Sequence, residues 1–239
     1  MRDLLKGGSL EREGGRRLQD PLSFRCASQV HGSLLAALEL LAAALEPELN
    51  GAADNPLVVA ADDEILSTGN FFVPALALAA DAVALALAQV ASLVVARVAR
   101  LLSAPLTGLP QNLAPAGSTG TGMAPLLKVA GALAGGIAHA AAPATLASLA
   151  HRDESVEDAV TGAPLATARL AGMLEHCRLL IALELVVAAH AVDLAEIETL
   201  GDGTRGIHAA VRRLAEPLET DRPLGADVER VAAGLATVL

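Results

Sequence analysis

Long aliphatic runs, broken by isolated charges and punctuated by glycine and proline, dominate the chain. Residues 1–18 are the exception, mixing glycine with charge, and predict a flexible N-terminal arm. Beyond "QDPLSFRCASQVHG", Gly32-Ser33 predicts a helix start, and Pro47 with Asn50-Gly51 predicts its end. "NPLVVAADDEILS" carries two short β-rich runs around Asp62-Asp63, which predict a small β-hairpin near 57–66. The loop "TGNFFVP" then leads into a helix from about Ala75 to Leu102. Proline and glycine crowd residues 103–125, a loop, before a helix from Leu126 to His151 with a bend at Pro143. A further long helix is predicted from about Pro164 to Asp193, and two short helices in the tail from Gly206. The pattern is all-α, a long-helix bundle, with residues 19–239 as one helical domain.

Composition narrows the packing. With 53% hydrophobic residues, three Phe, no Trp and no Tyr, the core must be Ala, Leu and Val, which lets helix axes approach closely. A mean hydropathy of +0.49 raises the question of a membrane. Asp81, Gln89, Arg97 and Glu184 interrupt the apolar helices, however, and a charge at bilayer centre costs about 2.5–3.5 kcal/mol. Helices buried within a large assembly, with no membrane, fit better. The net charge of −10 argues against nucleic acid, leaving Arg12, Arg16 and Arg17 as a solvated cluster. Two cysteines, Cys26 and Cys177, form no disulfide framework, and "MRDLLKGG" has no apolar leader; a reducing, cytoplasmic setting is expected.

The residues alone offer little chemistry. Six histidines lack an i, i+4 pair, so a metal site has weak support, and no Gly-x-Ser-x-Gly elbow occurs. "GSTGTG" follows no strand and lacks a Lys-Ser/Thr ending, so it is no phosphate cradle. Arg25 at a helix mouth and Glu157-Asp158 in a charged run remain. Their plainer reading is a structural ion pair and a solvated corner.

Six ordered motifs change that weighting: "RRLQDPLSFRC…QVHG", "ADNPLVV", "STGNFF", "LTGLPQNLAP", "VEDAVTGAP" and "ALELVVAAH". Together they resemble the C-terminal half of the histidine and aromatic amino-acid ammonia-lyases and the related aminomutases, over about residues 16–239. The resemblance implies a homotetrameric helical core whose sites each draw residues from three subunits. It also implies an electrophile, 4-methylidene-imidazol-5-one (MIO), made from an internal Ala-Ser-Gly. By motif position, Arg25 would bind the substrate carboxylate, a task that suits a planar guanidinium fork. Gln19 would line the site and Phe71 would wall the electrophile. Glu157, the catalytic candidate, matches the acid of the histidine-specific branch, able to hold an amine or move a proton.

Three departures qualify this. The motif tyrosine is Leu22, the histidine common after Gly-Asn-Phe is Phe72, and no Ala-Ser-Gly or tyrosine occurs anywhere. The expectation is therefore one subunit of a split ammonia-lyase or 2,3-aminomutase, inactive alone. A companion subunit with Ala-Ser-Gly would carry the MIO. The alternative is a non-catalytic helical scaffold or regulatory partner descended from such an enzyme; Leu22 favours it, and Arg25 with Glu157 favours the enzyme.

Overall fold

The computed structural model describes residues 2–13, 18–115, 117, 120–147, 156, 158–197 and 199–238. Two helical turns, α1 (Arg2–Leu5) and α2 (Ser9–Glu13), precede α3 (Leu22–Arg25), which passes through Cys26 into α4 (Ala27–Asn50). The strands β1 (Leu57–Val59) and β2 (Glu64–Leu66) pair antiparallel, with Val58 opposite Ile65. Then come α5 (Pro74–Leu101), the turn α6 (Ala104–Thr107), α7 (Ala124–Ala140) and α8 (Ala163–Leu194). The tail forms α9 (Asp202–Leu214), α10 (Gly225–Ala233) and α11 (Leu235–Val238). The architecture is all-α with one hairpin, as the patterning predicts.

Helix limits differ from the sequence expectation most at the start of α4 and the end of α7, while α4 ends at Asn50 as expected. The helix expected from Gly32 begins at Ala27, because the Ala-Ser-Gln-Val stretch before it continues the helix without a breaker. Pro47 lies inside that helix, in its last turns, and Gly51 N–H closes on the Pro47 carbonyl at 2.7 Å. The helix expected from 126 to 151 stops at Ala140 instead of bending. Pro143 blocks continuation, and a 3-10 turn over Ala144–Leu146 follows.

The chain divides into two compact units. One comprises Met1–Ala27, Ala91–Gly136 and Glu175–Leu239. Val94, Val98, Leu113, Leu183, Val187 and Val211 are each at most 2% exposed and form part of its core. In this unit α1 and α2, within the segment expected to be an arm, are tied to residues 199–202. Ser9 N–H donates to Thr199 O at 2.9 Å and Asp202 N–H to Lys6 O at 3.0 Å. The approach needs glycine: a Cβ on Gly8 would meet Gly201 N at 2.6 Å.

The other unit comprises Ser28–Val90 and Ile137–Leu174, with a small-residue core of Ala80, Ala144 and Ala166 against Leu41, Leu165 and Leu170. Asp81 is its key polar group. Its carboxylate accepts Ala144 N–H at 2.9 Å, Thr145 N–H at 3.0 Å and Thr145 Oγ1 at 2.7 Å, capping the turn that follows Pro143. In this unit α4 has no buried residue, although Leu35, Leu38, Leu40, Leu45 and Leu49 all lie on it. Both α4 and α5 are long and apolar enough to cross a membrane, but in α5 the charges Asp81 and Arg97 are each bonded within the protein.

Candidate active-site half

Arg25 ends the single turn α3, whose amides close locally: Arg25 N–H donates to Pro21 O at 3.1 Å and Cys26 N–H to Leu22 O at 2.8 Å. Leu22 and Arg25, three apart, share a face of that turn. Both are exposed, Leu22 at 64%, and Gln19 just upstream is exposed as well. Among the described residues the Arg25 guanidinium has no hydrogen-bond or ion-pair partner. A guanidinium held on a short turn, unpaired and open, is a ready receptor for a carboxylate from outside the chain.

The turn itself is braced. Arg97 of α5 grips Glu184 of α8 through two N–H groups, Nε to Oε1 and Nη2 to Oε2, the second at 3.0 Å. Its remaining nitrogen, Nη1, donates to the carbonyl of Ser23 at 3.2 Å. Arg97 and Glu184 are only 12% and 19% exposed, and Ser23 is buried. This brace escaped the sequence reading, where Arg97 and Glu184 served only as charges inside apolar helices. Their placement in otherwise aliphatic runs was the signal, since such charges are rarely buried unpaired.

Phe71 lies in the second unit, 51% exposed on the loop after the hairpin, beside Phe72 at 41%. Hydrogen bonds tie that loop: Thr68 N–H donates to Asn55 Oδ1 at 3.0 Å and Asn70 Nδ2 to Ala52 O at 3.1 Å. Gln19, Leu22 and Arg25 therefore share one short stretch of the first unit, while Phe71 belongs to the second. Glu157 lies outside the described residues.

Other polar groups stabilise. Burial pushes the Asp81 carboxyl upward, but its bonds to Thr145 and Ala144 and the charge of Arg169 outweigh this and hold it below the usual value. Burial lowers His190, which is 2% exposed, and favours its neutral form. Its Nε2 lies 3.1 Å from Leu113 O and donates to it, fixing the loop where Asn112 and Leu113 take positive φ. Among the described residues no three His, Cys, Asp or Glu side chains gather as metal ligands. A cavity of about 550 Å³ in the first unit is lined by Leu126, Val129, Leu133, Leu179 and Asp221, among others, and by none of the motif residues. The Asp221 carboxylate there already accepts Thr121 and Gly122 N–H at 2.6 and 3.1 Å.

Comparison with known proteins returns one family. The profile described as aromatic amino acid lyase matches residues 1–213. The chain is 36% identical over 236 residues to histidine ammonia-lyase of Symbiobacterium thermophilum, covering 97% of this chain and 46% of that one. Among solved structures it is similar to the ergothioneine-degrading enzyme ergothionase from Treponema denticola, at a TM-score of 0.89 and 26% identity. That match covers 99% of this chain and 48% of that one. It is also similar to histidine ammonia-lyase from Trypanosoma cruzi, at a TM-score of 0.88 and 28% identity, over 99% of this chain and 44% of that one. The chain spans about half the length of the curated relatives it matches.

Proposed function

Because the chain belongs to the aromatic amino acid lyase family, we propose that it supplies the carboxylate-binding half of an ammonia-lyase or 2,3-aminomutase site. A companion subunit would contribute the half with Ala-Ser-Gly. The observation that carries this reading is Arg25, an exposed guanidinium without a partner among the described residues, held on a turn at the family's arginine position. Its fork matches both oxygens of an α-amino acid's carboxylate.

The residue types present suit such a site. Leu22 and Phe71 offer exposed apolar surface for a substrate side chain and for the wall around an electrophile. The MIO group, when formed on the companion, supplies the electron sink that lets the carbon–nitrogen bond break. This chain's groups bind and orient: Arg25 fixes the carboxylate, Gln19 lines the rim, and Leu22 excludes water where relatives place a phenol. Glu157 holds the amine or the substrate side chain, or moves a proton. Histidine is the first substrate to test, given the similar histidine ammonia-lyases and the acid at position 157.

The unburied apolar face of α4 supports an assembled helical core in which that face is covered, and the reading takes that assembly to be cytoplasmic. Sedimentation at micromolar concentration is expected to show self-association, and a monodisperse monomer would count against it. The decisive assay measures ammonia release from histidine and then from a panel of α-amino acids. The chain alone should release none, and the chain mixed with a polypeptide carrying the Ala-Ser-Gly half should release it. Ammonia from the lone chain, or none from a complex that shows the electrophile's near-ultraviolet absorbance, would overturn the proposal.

A further inference from the structure

We infer that Arg97 is a positioning residue for the site, setting the placement of Arg25 through the carbonyl of Ser23; this rests on Arg25 being the carboxylate anchor. The turn α3 has four residues, and no side chain caps its start. So short a helix has no stability of its own, so its place depends on what holds it from outside. The held point is Ser23 O, two residues before Arg25, and the donor is Arg97 Nη1 at 3.2 Å.

The geometry needs an arginine. Two of its N–H groups are committed to Glu184 and a third reaches the turn, so one planar group links α5, α8 and α3. Glu184 fixes the guanidinium plane, and that plane aims Nη1. A lysine has a point charge on a flexible stem and cannot hold both directions at once. An ion pair serving only to clasp α5 to α8 would need no donation to Ser23 O. A misplacement of about 1 Å at a binding group can cost about 100-fold in rate, so a brace on this turn would bear directly on substrate binding.

The test uses two variants and two readouts. Arg97→Lys keeps the charge and loses the fork. The double variant Arg97→Met with Glu184→Met removes both charges together and keeps apolar packing, a replacement that often leaves stability unchanged. Hydrogen exchange on the full chain should show the Phe24, Arg25 and Cys26 amides exchanging about tenfold faster in both variants, as expected for one lost charge-assisted bond. Amides of α9 should be unchanged. In the assembled complex, KM for the amino acid should rise about tenfold with kcat within about twofold. A merely structural pair would instead lower the amount of active complex and leave KM alone. Unchanged exchange at residues 24–26, or unchanged KM in both variants, would overturn the inference. If the wild-type complex turns over no amino acid, the functional reading falls, and exchange still decides the brace.

Discussion

Asp81 and Arg25 carry opposite charges at two turns, and their surroundings differ as much as their signs. Asp81 is 7% exposed and accepts three hydrogen bonds from the turn after Pro143. Arg25 stands exposed on a turn of similar size, with no partner among the described residues. A buried charge must be satisfied inside the chain, because desolvation costs several kcal/mol otherwise. An exposed arginine pays little for waiting, and keeps its donors for a ligand. The first turn is an internal staple, and the second is, in the function proposed above, an open receptor. Arg97 combines the two roles, paired within the chain like Asp81 yet bonded to the turn that carries Arg25.

The largest expected effect breaks the receptor. In the assembled complex, Arg25→Met should lower kcat/KM by about 100-fold or more, since truncating one partner of a hydrogen-bonded charge pair costs about 2–5 kcal/mol. Its melting temperature should match wild type, because no described residue pairs with this guanidinium. Steady-state kinetics and thermal melts check both halves.

Asp81→Ala should do the reverse, costing about 2–3 kcal/mol of stability by orphaning backbone donors. It should leave the KM of whatever complex folds nearly unchanged. Chemical denaturation measures the loss. The same carboxyl also has a pH signature. Its folded-state pKa lies below the unfolded value, so its contribution is fully present above the ordinary carboxylate pKa of about 3.9. That contribution fades as pH falls through the lower, folded value. Asp81→Asn should therefore flatten the acid limb of stability below about pH 4. An unchanged acid limb would mean that the staple is not ionic.

The smallest expected effect sharpens the receptor's outline. Leu22→Tyr restores a phenol on the face shared with Arg25, and should shift turnover or substrate selectivity in the complex by less than about tenfold. Kinetics unchanged for every accepted substrate would mean that position 22 does not face the pocket.

The same contrast explains what was legible in the sequence. Aliphatic runs with punctuating glycine and proline gave most helix limits to within a residue or two, as for α5 and α8. The hairpin was read from its β-rich halves and the Asp62-Asp63 turn. Arg25 and Glu157 stand out from the residues alone, but their roles, and Phe71 altogether, come only from the ordered motifs. Partnerships were illegible. Asp81 reaches Thr145 across 64 residues and Arg97 reaches Glu184 across 87, and no local pattern encodes such pairs. "KGGS" reads as a loose segment, yet Gly8 works there by close approach to Gly201. The end of α7 was missed because Pro143 looks like a kink until Asp81 is seen capping the turn beyond it.

The central claim is that Arg25 recognises a carboxylate. The most direct measurement compares kcat/KM for an accepted amino acid with that for its carboxamide, in the wild-type complex and in Arg25→Gln. The account predicts that the wild type prefers the acid by about 100-fold, and that Arg25→Gln loses most of that preference by losing activity on the acid alone. An equal preference in both complexes would show that the carboxylate is read elsewhere, and would contradict the account.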